Sequence, residues 1–524
     1  MTYRTDAAAM LDALRRTPNW ARARGALDDA TLESILTEAA KLAETVLDPL
    51  NAPADRQGAR LVNGRVHTPD GFRAAFDTLA EGGWLGLEQS EGLGGMGMPL
   101  AVYAAVNPLF DRGCAALVMA LVSARSAALL LTVWASPDIR EDWVPALIRG
   151  ERSATICISE PGAGSDVGRI RTRAVRDAEG TWRISGQKIW ISFGDHDLRE
   201  RIGHCLLART SDAPGTRGLS LFLVENTEGV TCERIEEKMG LHGSPTCAML
   251  FENAPGLLIG EEGRGLAQMF SMIRHMRLSV ACQGLGTALR AHDVAADYAT
   301  QRRQGGNPKA PPVPIIDHPD VRRQLLDMKH RIDLFRLALL ETACAADLSD
   351  EDEDLATFTA WMLPQIKNAG AELAFDVASK AVMVLGGAGF TRDYPVEQAL
   401  RDSRVFAIYE GTTGMQAQDF FLRQTLANGG AALDVFLGRA RAECAGFPEQ
   451  AAVIEEFASF MHEAMAEPDR ERQAAMADGA LRAGWVAIQA WLSTRIADTP
   501  EAAFFMASAR AQLALHAAAA RAPV

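Results

Sequence analysis

Residues 401–420 have the sequence RDSRVFAIYEGTTGMQAQDF, in which an apolar run ends in one glutamate. Glu410 follows Val405–Tyr409 and precedes the glycine-threonine turn 411–414, which opens an amphipathic helix. A carboxyl group in apolar surroundings has a raised pKa, which suits it to accept a proton from carbon. The pattern therefore predicts that Glu410 is a general base. The competing interpretation is a solvent-facing glutamate that only shapes the turn.

A second distinctive stretch, SEPGAGSD at 159–166, follows the apolar run 154–158. A strand that ends in such a glycine-rich turn offers small hydroxyls and backbone N–H groups, which can hold a polar ligand edge or a phosphate. An ordinary connection inside a β-domain would have the same composition, so the stretch alone leaves both interpretations open.

Two further motifs point to a flat ligand. In GQKIWIS (186–192), an aromatic ring lies next to a hydroxyl, which suits a heterocycle that also needs a hydrogen bond, although a core tryptophan is the simpler interpretation. We expect a turn at 185–188 just before it. In LGGAGF (385–390), the glycines allow a close backbone approach to a ligand, or alternatively end a helix.

The chain divides by its periodicity into four predicted domains. Residues 1–152 have mostly helical spacing, and 153–257 contain short alternating runs typical of a small antiparallel β-domain. Helical spacing returns in 258–427, and 428–524 form a helical extension without clustered acids, histidines or cysteines. We expect this extension to dock on a protein surface and to carry no chemistry.

Composition narrows the class of protein. The 524 residues include 53 basic and 67 acidic side chains, so the net charge of −14 disfavours nucleic acid and anionic membranes as partners. Eight scattered cysteines without a CxxC pair predict neither a metal site nor disulfides, and favour a cytoplasmic protein. The apolar stretch 115–135 has Arg125 at its middle and is predicted to be a buried helix pair rather than a membrane span.

The segment GLGGMG (92–97) formally matches a dinucleotide fingerprint. That fingerprint requires a preceding strand and a strand–helix–strand unit, and neither is indicated around it. We therefore interpret these glycines as a turn between helices.

Together, these motifs resemble the acyl-CoA dehydrogenase family over about residues 30–425, in order and spacing. The strongest pieces are SEPGAGSD, GQKIWIS, LGGAGF and RDSRVFAIYEGTTGMQAQDF. The segments 194–209, 235–247 and 315–330, with the extension after 428, are most similar to the 3-methylthiopropanoyl-CoA dehydrogenase branch. The resemblance implies an α+β fold, with an N-terminal helical domain, a β-barrel-like middle domain, a C-terminal helical bundle and a helical extension.

The family implies FAD bound between the β-domain and the C-terminal bundle, and Glu410 as the catalytic base in α,β-dehydrogenation of an acyl-CoA. The cofactor contacts implied in this way are Ile158, Ser159, Trp190, Ser192, Arg302, Gly386, Gly387, Thr412, Thr413 and Gly414, with Arg302 reaching the FAD of a neighbouring subunit. Ser165, Arg277 and Gly411 would lie near the acyl-CoA. The resemblance also implies an electron-transferring flavoprotein as electron acceptor, and a homodimer or homotetramer.

Two positions depart from the family pattern. Met383 stands where a glutamine is common, and Arg274 where an aspartate or asparagine is common, which puts one FAD contact and the grip on the CoA arm in question. The sequence leaves open a flavin oxidase on the same fold, or a non-catalytic relative. It does not identify the acyl group.

Overall fold

The computed structural model of the protein describes residues 2–522. By its contacts the chain forms two compact units, which we describe separately. The helical unit comprises Met1–Lys41, Pro99–Arg112 and Arg277–Val524, and the mixed unit comprises Leu42–Met98 and Gly113–Met276. Both differ from the four sequence-predicted domains, whose boundaries stay a prediction.

The mixed unit contains a seven-stranded sheet and a separate two-stranded hairpin. Its strands are β1 (Arg60–Val62), β2 (Arg65–His67), β3 (Ser153–Cys157), β4 (Arg173–Arg176), β5 (Trp182–Ser192), β6 (Ile202–Arg209), β7 (Leu219–Glu225), β8 (Val230–Ile235) and β9 (Thr246–Ile259). Strands β3 to β9 form the sheet, in which β6 pairs with β4 on one side and with β7 on the other, so that β6-β4-β5-β9-β7 closes on itself. The predicted barrel-like middle domain is confirmed.

The sheet is mixed, and the prediction of an antiparallel β-domain is wrong. Strand β3 pairs parallel to β6, and so does β4 at Arg173 and Arg209, whereas the other pairs are antiparallel. The reason lies in β6, which is buried on both faces: Cys205 and Leu207 belong to one apolar core, and Leu206 and Ala208 to another. A strand buried on both sides has no alternation from which its direction could be inferred.

Two local features also differ from the expectation. The predicted turn at 185–188 is part of the continuous strand β5, which has irregularities between Ile184 and Gly186 and between Lys188 and Ile191. A β-bulge keeps the strand paired while redirecting its side chains. The hairpin β1–β2 lies in a region predicted to be mostly helical, and its Asn63-Gly64 turn has positive φ at both residues, which is the usual signal for such a hairpin.

The apolar stretch 115–135 is buried, as predicted, but it does not form a pair of helices by itself. Element α6 (Leu100–Trp134) consists of two helical segments joined at a kink, where Cys114 has non-helical backbone. The apolar stretch lies in the second segment, which is continuous because residues 115–134 contain neither glycine nor proline. Arg125 lies inside the mixed unit, where it donates to the carbonyls of Trp84 and Leu85. Leu100–Trp134 and Glu353–Phe390 are long and apolar enough to cross a membrane, but 94% of the apolar window of the first is buried, as in a core helix.

The remaining helices are distributed over the two units. They are α1 (Thr2–Arg15), α2 (Trp20–Ala23), α3 (Asp29–Leu42), α4 (Asp48–Gln57), α5 (Phe72–Glu81), α7 (Pro137–Ile148), α8 (Gly265–Gln301), α9 (Pro319–Asp347), α10 (Glu353–Leu385), α11 (Val396–Ser403), α12 (Thr413–Gln418), α13 (Ala431–Cys444), α14 (Pro448–Met465), α15 (Arg470–Ser493) and α16 (Pro500–Arg521). Within the helical unit, α8 and α10 approach closely at Gly284 and Gly370. A Cβ at Gly284 would lie 2.2 Å from the Gly370 carbonyl oxygen, so only glycine allows this crossing.

The C-terminal extension, α13 to α16, packs on helices α9 and α10 of the same unit. Trp361 of α10 stacks on Phe436 at 4.6 Å between ring centroids, and Trp491 lies edge-on to Phe358. Glu341 of α9 is fully buried and accepts from both Arg439 and Arg495. The apolar faces predicted for these helices are buried against protein.

Candidate active site

Glu410 lies in a sharp turn of the helical unit. Its φ is +52°, and Gly411 follows with φ +92°. A side-chain-bearing residue in this region costs about 1–3 kcal/mol and persists only where its surroundings hold it. Two side chains do so here: Lys367 Nζ donates to the Gly411 carbonyl at 2.7 Å, and Gln416 Nε2 donates to the Glu410 carbonyl at 2.9 Å.

Burial and nearby positive charges act in opposite directions on the pKa of Glu410. Burial raises the pKa of Glu410, whereas the cations of Lys367 and Arg277 lower it. Burial likewise lowers the pKa of Lys367 to about 8, with the negative charge of Glu410 acting against that shift. The raised pKa predicted for Glu410 is therefore present, together with two cations that the motif did not reveal.

Arg277 is held in an ion pair with Asp419, 2.5 Å between Nη1 and a carboxylate oxygen, and both side chains are largely buried. The neighbouring Tyr409 donates its hydroxyl to Gln283 of α8, and burial raises its pKa well above the ordinary value. The turn is thus anchored to α8, α10 and α12, and its half-buried acid lies in a fixed and charged environment.

The glycine motifs of the helical unit face open space. Gly386 ends α10 with φ +61°, and a Cβ built at Gly386, Gly387 or Gly414 would meet no atom within 4 Å. The interpretation of the LGG motif as a helix end is confirmed, and the approach of a ligand to its open backbone stays a prediction. Thr412 is exposed, Thr413 is half-buried, and Arg302 is exposed in the loop after α8.

Large apolar side chains accompany these open glycines. Met383 is 71% exposed and Phe390 86% exposed. Exposed apolar groups of this size mark surfaces that bind a ligand or another chain.

In the mixed unit, the Ser159 loop and strand β5 are joined by hydrogen bonds. Ile189 N donates to the Ser159 carbonyl at 2.9 Å, and Thr155 Oγ1 donates to the Ser192 carbonyl at 2.7 Å. Trp190 lies at the β5 irregularity with φ +64° and is 60% exposed, so it is not the core tryptophan of the simpler interpretation. Its indole ring is presented outward.

The other predicted residues of this unit lie in the Ser159 loop and in strand β5. Ile158, Ser159 and Ser192 are half-buried, whereas Ser165 is exposed in the glycine-rich turn. The mixed unit thus offers one outward aromatic ring with small hydroxyls and backbone groups beside it.

A buried ion pair supports this loop. Lys188, fully buried, donates to Glu160 at 2.8 Å and to the Ile158 carbonyl at 3.1 Å. Glu160 also accepts from the backbone N–H groups of Arg171 and Thr172. The backbone at Ile158 is therefore fixed by a charged network whose members all have partners.

Sequence reasoning missed Lys188, Glu160, Lys367 and Gln416 as supporting residues. A signal existed for one of them: Lys367 is the only charged residue between Asp354 and Glu372. A lone lysine in so long an uncharged helical stretch is typical of a buried, partnered cation. Within residues 2–522, no cluster of three or more histidine, cysteine or acidic side chains could hold a metal ion.

Three family models match the chain in succession. They describe the acyl-CoA dehydrogenase N-terminal domain at residues 29–151, the middle domain at 155–254 and the C-terminal domain at 263–421. The chain belongs to the acyl-CoA dehydrogenase family. Its members are flavoproteins that oxidise acyl-CoA substrates, and this acyl-CoA dehydrogenase is accordingly an oxidoreductase.

Curated relatives agree with this assignment. The chain is 37% identical to the 3-methylmercaptopropionyl-CoA dehydrogenase of Ruegeria pomeroyi, over 82% of this chain and 77% of that protein. It is 36% identical to the broad-specificity linear acyl-CoA dehydrogenase FadE5 of Mycobacterium tuberculosis, over 78% and 72%. The similarity to the 3-methylthiopropanoyl-CoA branch is confirmed, since the two acyl names describe the same group.

Solved structures extend the comparison to the fold. Butyryl-CoA dehydrogenase of Megasphaera elsdenii matches with TM-score 0.67 at 26% identity, over 75% of this chain and 97% of that chain. A chain from a study of the electron transferring flavoprotein of Acidaminococcus fermentans matches with TM-score 0.66 at 25% identity, over 76% and 98%. ACDH-11 of Caenorhabditis elegans, solved in complex with C11-CoA, matches in fold with TM-score 0.81 at 21% identity, over 95% and 89%. The last coverage includes helices of the C-terminal extension.

Proposed function

We propose that Glu410 is the base of an α,β-dehydrogenation that converts an acyl-CoA thioester to the trans-2-enoyl-CoA. The observation that carries the proposal is the Glu410 turn itself, whose strained backbone is held at the Gly411 and Glu410 carbonyls by Lys367 and Gln416, so that the half-buried Glu410 side chain has a fixed position. The α-proton of a thioester is weakly acidic, so its removal requires a base whose position is fixed.

The proton and electron balance is simple. The Cα–H bond breaks and its proton passes to the Glu410 carboxylate. Its electron pair forms the new double bond, while the β-hydrogen leaves with the electrons of its own bond. Bound FAD supplies the flavin ring that accepts this hydride. Glu410 then returns its proton to solvent once the product has left.

Two sets of residues support the cofactor assignment. In the mixed unit, the exposed ring of Trp190 with Ile158, Ser159 and Ser192 suits a flat heterocycle. In the helical unit, the open backbone at Gly386, Gly387 and Gly414, with Thr412 and Thr413, suits a ligand that approaches the main chain. We assign Arg302, which is exposed, to the FAD of a second subunit.

For the substrate, we propose a short or medium acyl-CoA, with 3-methylthiopropanoyl-CoA among the candidates, because the chain is similar to a dehydrogenase of that thioester. Ser165, Arg277 and Gly411 are the proposed substrate contacts. The chain match from a study of an electron transferring flavoprotein supports such a flavoprotein as electron acceptor. A cytoplasmic location and a homodimer or homotetramer stay predictions.

The test is Glu410→Gln, which keeps the size and hydrogen-bonding capacity of the side chain but cannot accept the proton. The variant should retain FAD, whereas bleaching of the flavin in a single turnover should slow by at least about a thousandfold. Rates are measured with the best of butyryl-CoA, octanoyl-CoA and 3-methylthiopropanoyl-CoA, and normalised to flavin content.

The matched control is Glu351→Gln, which removes an exposed carboxylate from the loop before α10 and should leave bleaching unchanged. If the Glu410 variant bleaches within tenfold of the parent rate, the base lies elsewhere. If instead it loses FAD or stability and keeps its rate per bound flavin, Glu410 only shapes the turn.

A further inference from the structure

Lys367 occupies an unusual place in the helical unit. It lies in the middle of α10 and is fully buried, although an ammonium group loses several kcal/mol of hydration when it leaves water. Such groups are kept only where a partner or a function requires them. Its hydrogen bond goes to the carbonyl of Gly411, 2.7 Å away, which is the residue directly after Glu410.

This lysine is not neutralised by a contact ion pair. Among the residues that the structure describes, no carboxylate oxygen lies within 4 Å of Lys367 Nζ. The acid that acts on it is Glu410, and the other nearby cation, Arg277, is already paired with Asp419. No contacting carboxylate of the described residues therefore balances the charge of Lys367, which acts on Glu410, whereas Asp419 largely balances the charge of Arg277.

The same contact controls the shape of the turn. The Gly411 carbonyl accepts from Lys367 at 2.7 Å and from Gln416 Nε2 at 3.3 Å. A Cβ at Gly411 would lie 2.7 Å from Gln416 Nε2, so the side-chain clamp closes directly on the glycine. The two donors hold the carbonyl in the orientation that positive φ at Glu410 and Gly411 requires.

We propose that Lys367 is a positioning residue for the dehydrogenation, which fixes the Glu410 turn through the Gly411 carbonyl and adds a positive charge that favours the carboxylate form of Glu410. The proposal rests on the proposed function of Glu410. It gives one side chain two separable tasks, since the hydrogen bond requires a donor and the electrostatic effect requires a charge.

The charged groups around Glu410 come from several elements. Lys367 belongs to α10, Arg277 to α8, and Asp419 to the segment after α12. Tyr409 precedes Glu410 on the chain, and Asp111 of α6 acts on Tyr409. Burial keeps Tyr409 neutral, and Arg277 is paired with Asp419. Removal of Lys367 therefore takes away the positive charge that lowers the pKa of Glu410 most. The acid limb of the pH–rate profile should then move to higher pH, because burial of Glu410 is no longer offset.

Three substitutions separate the two tasks. Lys367→Arg keeps a charge and a donor, Lys367→Gln keeps a donor only, and Lys367→Met keeps neither. Each FAD-loaded enzyme is reduced by butyryl-CoA in single turnovers between pH 6 and 9, with rates normalised to flavin content and extrapolated to saturating substrate.

We expect the arginine variant to keep the acid limb of the parent. The glutamine variant should move the limb up by about one pH unit while its plateau rate stays within tenfold. The methionine variant should show the same displacement and a plateau that is about tenfold to a hundredfold lower, because the turn has lost a clamp. Lys380→Met, which removes a half-buried lysine from the same helix, should leave the acid limb in place.

Acid limbs that coincide for the parent, glutamine and methionine variants would overturn the proposal, even if those variants were less stable or bound FAD more weakly. Its failure is distinguishable from failure of the proposed function. If Glu410→Gln abolishes bleaching while the Lys367 variants leave the limb unmoved, only the role of Lys367 falls. If Glu410→Gln bleaches at the parent rate, both fall.

Discussion

Two buried lysines, one in each compact unit, are held in different ways. Lys188 in the mixed unit and Lys367 in the helical unit each donate to a main-chain carbonyl, that of Ile158 at 3.1 Å and that of Gly411 at 2.7 Å. Lys188 is also in contact with a carboxylate, Glu160, at 2.8 Å, whereas Lys367 has no such partner among the described residues. Glu160 balances the charge of Lys188, whereas no contacting carboxylate in the described part of the chain balances the charge of Lys367.

The difference shows how the same side chain serves two purposes. An ion pair that is buried and fully hydrogen-bonded fixes a loop, but its external field is small because the opposite charges lie side by side. A buried cation without a contact partner destabilises the folded state. Because no adjacent anion cancels its field, it can lower the pKa of a nearby carboxyl group. Lys188 therefore supplies rigidity to the loop at Ile158, and Lys367 supplies a positive charge to the Glu410 turn.

The largest expected effect is on the structural pair. Glu160→Gln leaves Lys188 buried beside a neutral partner, which should lower the free energy of unfolding by about 3–5 kcal/mol. The double variant with Lys188→Met should recover much of this loss, because no charge then remains buried. Denaturant unfolding of the parent, Glu160→Gln and the double variant tests this. A double variant no more stable than Glu160→Gln would contradict the conclusion that Glu160 balances the charge of Lys188.

A smaller effect is expected in the pH dependence of stability at Lys367. Burial lowers the pKa of its ammonium group from 10.5 to about 8, so between these values the unfolded chain binds the proton more tightly than the folded protein. Stability contributed by this group therefore rises with pH through about 8 and levels off near 10.5. Between pH 7.5 and 9.5, the parent should gain about 1–2 kcal/mol relative to Lys367→Met. Equal pH dependence of the two unfolding curves would mean that folding does not lower the pKa of Lys367.

The smallest effect is expected at an exposed pair, which sets the baseline for both buried lysines. Arg323 contacts Asp320 at 2.7 Å in the first turns of α9, but the two side chains are 57% and 68% exposed. Arg323→Met should change the free energy of unfolding by no more than about 0.5 kcal/mol, and less at high salt. A loss comparable to that of Glu160→Gln would show that burial is not what separates these ion pairs.

The sequence predicted the order of elements and the turn around Glu410, because periodicity and glycine placement are local signals. The direction of β6 could not be predicted, since its residues are apolar on both faces and only the pairing with β3 fixes it. The exposure of Trp190 follows from a backbone irregularity in β5 that no spacing rule marks. Lys367 approaches Gly411 across 44 residues, a contact that depends on how α10 packs.

The buried carboxylate Glu341 has a consequence for how the chain is made. Its partners Arg439 and Arg495 lie 98 and 154 residues further along, both in the C-terminal extension. At about 5–20 residues per second, the ribosome delivers the first of them on the order of 5–20 s after Glu341. During that interval α10, the helix that carries Lys367, also lacks the covering of Phe436 over Trp361. The helix that carries Lys367 thus reaches its final packing only after Phe436 and its neighbours have left the ribosome, so the packing around the Glu410 turn is completed late in synthesis of this part of the chain.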